Sequence, residues 1–529
     1  MNKIKTLKTY MPKFMMMKKA TTLLLTILLI SILSSCADMD SDTVTPPPPT
    51  PEPTIAPVMP IVPISGGTLQ LSMRPPQTLN PLLNEDATVA RVLQLIYEPM
   101  ITFDEELRPV PHLVDLEFAF NSASVDVTIR EDARWSDGSP ITADDLVFSL
   151  NTLRGAPASV IYKDNIANFS SWQVVSENVV RIVFRTINGG SAYKFNFPII
   201  PNRASTAYPM GSGPFMFDPY NTTETKVFLV HNPYTFRTSP YIESVQVMII
   251  PARETDIHAF DRGLTDIYLA EVAAWARHHS IKPVRFTQQQ SMLYDFIGFN
   301  FARAIPAQPQ FRQVVAHSLN IESIVSNVFL THAVVTNSPV HPNSWLHETN
   351  IPIYEFNMDT AQELASGINM PQQSLEIVVN ESNMEGIRIA QTLVSQLNTI
   401  NIPLELTILP FEDYIWRIQN GYFDLFIGTF NLSMQPDLRF AFHSESVGNI
   451  ISYNSAELDL LLESAAAAAT DTHFQRALSD VQFHIGYHLP VISLAFRHTS
   501  VITSPRIQGD LDPAPDNIFI NVQNWFIHE

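Results

Sequence analysis

Few residues of this chain are spaced for covalent chemistry, and each candidate fails on inspection. Met210-Gly211-Ser212-Gly213 has the look of a turn that exposes a nucleophilic serine, but such a turn needs glycine two residues before the serine, and Met210 stands there. His278-His279 is the single adjacent pair among the 15 histidines. No acidic or cysteine ligand pattern accompanies it, so it reads as a solvated pair instead of a metal site. Cys36 is the only cysteine, which excludes an internal disulfide, a thiolate cluster or a second thiol for redox work. The zinc-protease helix motif, the phosphate-binding Walker loop and the dinucleotide fingerprint do not occur. No catalytic set and no cofactor site emerge. With 32 Lys+Arg against 52 Asp+Glu the formal charge is −20, which argues against nucleic acid or anionic lipid as partner.

The elements that would position a binding site are clearer. Residues 1–35 form a targeting signal: lysines 3, 5, 8, 13, 18 and 19 with no acid, then the apolar run Ala20 to Leu33, too short to span a bilayer as a mature helix. It ends Leu33-Ser34-Ser35-Cys36, which resembles a bacterial lipobox; in such precursors the cysteine becomes the lipid-bearing N-terminus. Residues 36–63 follow as a proline-rich linker that favours extended polyproline II and cannot bury a core.

The folded head begins near Gly66-Gly67. Val125, Val127 and Ile129 alternate with polar residues as a half-buried strand. Asp137-Gly138 makes a turn, Thr142 and Asp145 have capping-box spacing, and Leu146, Leu150 and Leu153 give the next helix one apolar stripe. Thr88 is expected to cap a helix whose buried face is Val89, Val92, Leu93, Ile96 and Tyr97. Further on, strands at Leu375–Val379, Leu404–Leu409 and Asp424–Thr429 alternate with helices at Met384–Leu397 and Glu412–Gln419. That alternation implies right-handed crossovers and a parallel sheet, whose ligands sit beyond the carboxyl ends of the strands. Those ends carry Asn380-Glu381-Ser382, Pro410-Phe411 and Phe430-Asn431-Leu432-Ser433.

The wording of the corner is specific. Arg130-Glu131-Asp132-Ala133-Arg134-Trp135-Ser136-Asp137-Gly138-Ser139-Pro140-Ile141-Thr142-Ala143-Asp144-Asp145-Leu146 resembles the signature of the family 5 extracellular solute-binding proteins, the oligopeptide- and dipeptide-binding proteins of ABC importers. Matches in the right order follow at Thr78-Leu79-Asn80-Pro81, Leu95-Ile96-Tyr97-Glu98, Gly211-Ser212-Gly213-Pro214-Phe215, Asn232-Pro233-Tyr234 and Gly263-Leu264-Thr265-Asp266-Ile267. Leu293 to Asn300 and Phe311-Arg312-Gln313-Val314 extend the resemblance into the second half.

The resemblance implies an α/β, type II (class C) periplasmic-binding-protein fold. Its two lobes would be joined by crossing strands: a first lobe over 64–84, an inserted subdomain 85–205, the first lobe again over 206–296, a second lobe 297–490, and a return 491–529. It implies a monomeric, lipid-anchored protein of the cell envelope that closes on a small solute, by default an oligopeptide, and delivers it to an ABC permease. Arg74, Tyr97, Asn300, Phe411, Phe430, Asn431 and Ser433 are the residues it nominates for the ligand. One departure bears on the ligand. Peptide binders of the family carry an aspartate that pairs with the peptide amine; ungapped alignment puts Phe430 on the preceding tryptophan and Ser433 on that aspartate. A neutral serine supplies no ion pair, and Asp437 could do so only from a displaced loop. A non-peptide solute, such as a nickel chelate or a sugar, and a signalling or structural role therefore remain alternatives.

Overall fold

The computed structural model describes residues 62–119, 123–186, 189–203, 208–251, 254–271 and 282–528. The leader, Cys36, most of the proline-rich linker and the pair His278-His279 lie outside them.

The first lobe is built on a four-stranded sheet. Thr68–Met73 runs parallel to Ser244–Ile249, with Lys226–His231 and Phe215–Phe217 antiparallel beyond. Leu69, Leu71 and Met73 alternate inward with Val227, Leu229, Val245 and Val247, the period-2 burial of a one-sided sheet. A second four-stranded sheet, all antiparallel, orders Val114–Phe118, Ser124–Ile129, Val179–Phe184 and Phe169–Ser176, with the helix Ala143–Gly155 packed against it.

The signature corner holds that subdomain together through one carboxylate. Asp145 Oδ2 accepts from the Thr142 backbone N–H at 2.9 Å, from the Thr142 hydroxyl at 3.0 Å and from Trp135 Nε1 at 3.3 Å. Its Oδ1 accepts from the Asn202 backbone at 2.8 Å. Trp135 is fully buried, and so are Leu146, Leu150 and Leu153. The other motif acids act similarly. Glu98, 1% exposed, lies between His112 at 2.6 Å and Arg237 at 3.2 Å. Burial alone would raise its pKa, but those two partners hold it below the usual carboxylate range. Asp266 accepts from the Gln70 backbone at 2.7 Å and from both nitrogens of the Arg506 fork, tying the C-terminal return to the first strand.

One cap is corrected. Asp86, not Thr88, is the N-cap of the helix Ala87–Leu93; its carboxylate accepts from the Thr88 and Val89 backbone, and the Thr88 hydroxyl donates to it at 2.6 Å. The ionised Asp86 accepts better than the hydroxyl two residues on, so the helix starts earlier. It also ends at Leu93, and Ile96 and Tyr97 are buried in the turns that follow.

Two long antiparallel strands, Arg285–Phe299 and Val491–Thr503, belong to both lobes. At one end Val491–Thr503 pairs with Ile267–Glu271 of the first lobe; at the other, Arg285–Phe299 pairs with Leu425–Asn431 of the second. Their mutual register shifts between Gln290 and Tyr294, a bulge at mid-span. Leu425–Asn431, Leu375–Asn380 and Leu404–Leu409 are parallel neighbours, as the strand–helix alternation requires. Helices Met384–Thr399, Pro309–His317 and Met358–Ala365 contribute to a core around Ile377, Val379, Leu393 and Ile427, distinct from a larger cluster that runs from the first lobe into the second through Phe426, Leu458 and Phe474.

Candidate functional site

The bulge decides where the site lies, because an extra residue in one strand re-aims the side chains beside it. Ser291, Met292 and Leu293 face a cavity of about 610 Å³ between the lobes. The Ala87–Leu93 helix and its following turns supply Arg91, Gln94 and Tyr97; the inserted subdomain supplies Tyr162 and Asn196. The crossing strands supply Gln289 and Thr499, the second-lobe loop Asn431 and Leu432, and the C-terminal return Pro515 to Ile518. A second cavity of about 240 Å³ shares Met292, Asn431, Leu432 and Met434 with the first and extends past Ser433 to His341 and Asp437. Together they form one cleft partitioned by the 431–434 loop.

The lobes touch beyond this cleft. Gly189 donates its backbone N–H to Ala466 O at 2.9 Å, and its own carbonyl accepts from Gln435 Nε2 at 2.7 Å. A Cβ on Gly189 would stand 2.6 Å from Ala465 O and collide with the Phe474 ring, so only glycine permits this approach. Nearby, Trp345 donates its backbone N–H to Glu106 O at 3.0 Å and its indole N–H to the Tyr193 hydroxyl at 2.9 Å, while the Arg108 guanidinium lies 4.2 Å from the Trp345 ring centroid. These contacts join the two lobes beside the cleft.

The nominated residues separate into two groups. Tyr97 and Asn431 line the larger cavity, and Asn431 and Ser433 line the smaller one. Tyr97 is buried, which pushes its hydroxyl well above the ordinary tyrosine range. Phe430 packs on Phe296 with centroids 4.6 Å apart and on Phe440, which lines the smaller cavity, at 5.3 Å. Asn300 and Phe411 line neither cavity, and Arg74 lines a third one of about 370 Å³ that shares Ala87, Arg91, Leu269 and Ile518 with the larger. Arg74 is fixed by Asp256 at 2.5 Å and by Ile250 O at 3.0 Å. The Asn300 amide donates to Gly421 O and Phe423 O and its carbonyl accepts from the Ala302 backbone, the work of a chain-crossing brace. Phe411 begins its helix 59% exposed.

Ser433 is exposed, and its hydroxyl accepts from the Gln435 backbone at 3.3 Å. Asp437 reaches the smaller cavity, but Arg439 grips both its oxygens at 3.0 and 2.7 Å. Desolvation would raise the Asp437 pKa, yet the guanidinium holds it below the usual range. Gln94, Tyr162, Asn196, Gln289, Thr499 and Asp516 escaped sequence reasoning. The one local signal was the polar triplet Gln288-Gln289-Gln290 inside an otherwise strand-like run.

Comparison with known proteins agrees with this architecture. Residues 110–449 match the model of the bacterial extracellular solute-binding proteins, family 5. The oligopeptide-binding protein AppA of Bacillus subtilis is 21% identical over 507 residues, 88% of this chain and 92% of its own. Its structure in complex with a nonapeptide superposes with a TM-score of 0.62 at 20% identity, covering 88% of this chain and 100% of that one. The ABC transporter substrate-binding protein CtaP of Listeria monocytogenes gives a TM-score of 0.76 at 20% identity, again over 88% of this chain and 100% of its own. NikA of Brucella suis, solved with Fe(III)-EDTA, gives 0.69 at 15% identity over 88% and 100%. These structural likenesses establish the fold. With more than half its length matching the family model, a bulged pair of crossing strands and a cleft shut between two lobes, the chain belongs to the bacterial extracellular solute-binding proteins, family 5, whose members bind solutes in the cell envelope instead of transforming them.

Proposed function

We propose that this protein captures short peptides by closing its lobes over the paired cavities, and hands them to the permease of an ABC importer while tethered through lipid on Cys36. The observation that carries the reading is the cleft itself. Its larger chamber of about 610 Å³ falls in the ~300–1,000 Å³ range of small-molecule sites, and contacts from both lobes cover it. A ligand touching both walls binds the closed form better and stabilises it by that difference. The lining suits a peptide: the exposed Asn431 amide can meet backbone groups of any sequence, while Tyr97, Tyr162 and Leu432 offer apolar walls. The kinship with AppA points the same way. On this reading the protein acts as a monomer, with lobe limits as set out from the sequence.

A non-peptide solute is the second reading, favoured by the neutral Ser433 and by an Asp437 already engaged with Arg439. Native mass spectrometry of the protein purified from its host separates the two. A ladder of peptide masses supports the first reading; one defined non-peptide mass replaces it with the second.

A further inference from the structure

The larger cavity is nearly neutral. Among the described residues that line it, Asp516 carries the one carboxylate and Arg91 the one guanidinium. Asp516 belongs to the C-terminal return, which lines the same cavity as the 431–434 loop, and that stretch is pinned in place. Gln94 Nε2 donates to Asp516 O at 2.7 Å, Gln289 Nε2 donates to Ala514 O at 2.5 Å, and Ala514 and Asn517 exchange backbone hydrogen bonds at 3.1 and 3.3 Å. The carboxylate itself accepts from Asn196 Nδ2 at 3.1 Å. No Lys, Arg or His among the described residues lies within ion-pair distance of it, unlike Asp437, Asp295, Asp266 and Glu98, which all have one.

The surroundings deepen the imbalance. Gln94 spends its amide N–H on Asp516 O, and its Oε1 is buried without a donor, so its lone pairs add to the negative potential of that corner. The Tyr162 hydroxyl is pushed up to about 12, first by burial and then by the Asp516 charge beside it. Burial raises Asp516 itself, although Asn196 and the more distant His112 work against the rise. Asp516 is half-buried at the cavity wall, and a carboxylate drawn partly out of water without a counter-ion gains from a ligand cation that supplies one. The aromatic faces of Tyr97 and Tyr162 in the same chamber suit a cation as well.

Resting on the reading of this cleft as the ligand site, we propose that Asp516 is the anionic anchor for the ligand, pairing with a primary ammonium group and so taking over from the C-terminal return the charge that Ser433 does not provide. Asn196 is the positioning residue that fixes the carboxylate's orientation. The ligand class is therefore amine-bearing: a peptide with a free N-terminus or a basic solute.

Isothermal titration calorimetry on the full-length protein in detergent tests this with three probes: tetra-alanine, its N-acetyl derivative and 1,5-diaminopentane. We expect the free-amine peptide to bind at least tenfold more tightly than the acetylated one, and the isosteric variant Asp516→Asn to erase that difference while circular dichroism stays unchanged. Asn196→Ala is expected to reduce the discrimination without abolishing it. If the diamine binds through Asp516 and neither peptide binds, the anchor stands and the peptide reading fails. If the acetylated peptide binds as well as the free one, or Asp516→Asn keeps the preference, the peptide reading stands and the anchor is overturned. Absence of binding by all three overturns both.

Discussion

The guanidinium of Arg497 holds Asp295 across the two strands that join the lobes, with Nε and one terminal nitrogen 2.5 and 2.7 Å from the two carboxylate oxygens. Asp295 is 1% exposed and also accepts from the Thr429 hydroxyl at 2.5 Å; Arg497 reaches on to Asn383 Oδ1 at 3.3 Å. One ion pair thus clamps both crossing strands and the neighbouring strand Leu425–Asn431 just beyond the bulge. Truncating one partner leaves the other charged and buried. Arg497→Ala is expected to cost about 3–5 kcal/mol, read as a lower urea midpoint at constant slope. Arg497→Lys should recover only part of this, because a single ammonium cannot reproduce the two-pronged grip. A loss below about 1 kcal/mol would show that the clamp contributes little.

Gly189 governs closure without touching the cavities. Adding a methyl there sets a Cβ against Ala465 O and Phe474, and overpacking of this kind costs about 1–3 kcal/mol, here charged to the closed form alone. Gly189→Ala should weaken ligand binding about tenfold or more and raise the radius of gyration by small-angle scattering with ligand present. The thermal midpoint of the ligand-free protein should stay unchanged. Equal affinity in variant and parent would mean that this contact is not part of the closed state.

His341 makes stability fall in mild acid. Burial first, then the neighbouring charges of His498 and His347, push it down to about 4, and its Nε2 is buried without a partner. The imidazole is therefore neutral in the fold while the unfolded chain takes a proton near pH 6.5. Above that pH the group costs nothing. As pH falls from about 6.5 to about 4 the unfolded state binds the extra proton and stability drops, by about 3 kcal/mol across the window. Urea titrations at pH 7.5, 6, 5 and 4 should trace this slope, and His341→Asn should flatten it. His498, also lowered by burial, contributes in the same direction.

The lipidation proposed at Cys36 has a direct readout. Cells fed radiolabelled palmitate should label the protein, and Cys36→Ser should abolish the label and release the protein from the membrane fraction. Labelling that survives the substitution would exclude the cysteine as the attachment point.

The sequence alone settled what local rules control. Alternation placed the strands 125–129 and 375–379, turn and cap chemistry placed the corner at Trp135 and Asp145, and strand–helix alternation required a parallel sheet in the second half. These are short-range properties, in which one residue's neighbours in the chain are also its neighbours in space. Even there a competition between adjacent caps, Asp86 over Thr88, needed the fold to resolve it.

The cleft was different. Gln94, Tyr162, Asn196, Gln289, Thr499 and Asp516 become neighbours only when crossing strands, inserted subdomain and C-terminal return converge, so no spacing in the chain could announce them. The same convergence assigned Arg74 to Asp256 and Asn300 to Gly421 and Phe423, because a buried polar group must find its partners wherever packing puts them. Local periodicity and capping thus wrote the elements, and long-range packing chose which further side chains join Tyr97, Asn431 and Ser433 around the cleft.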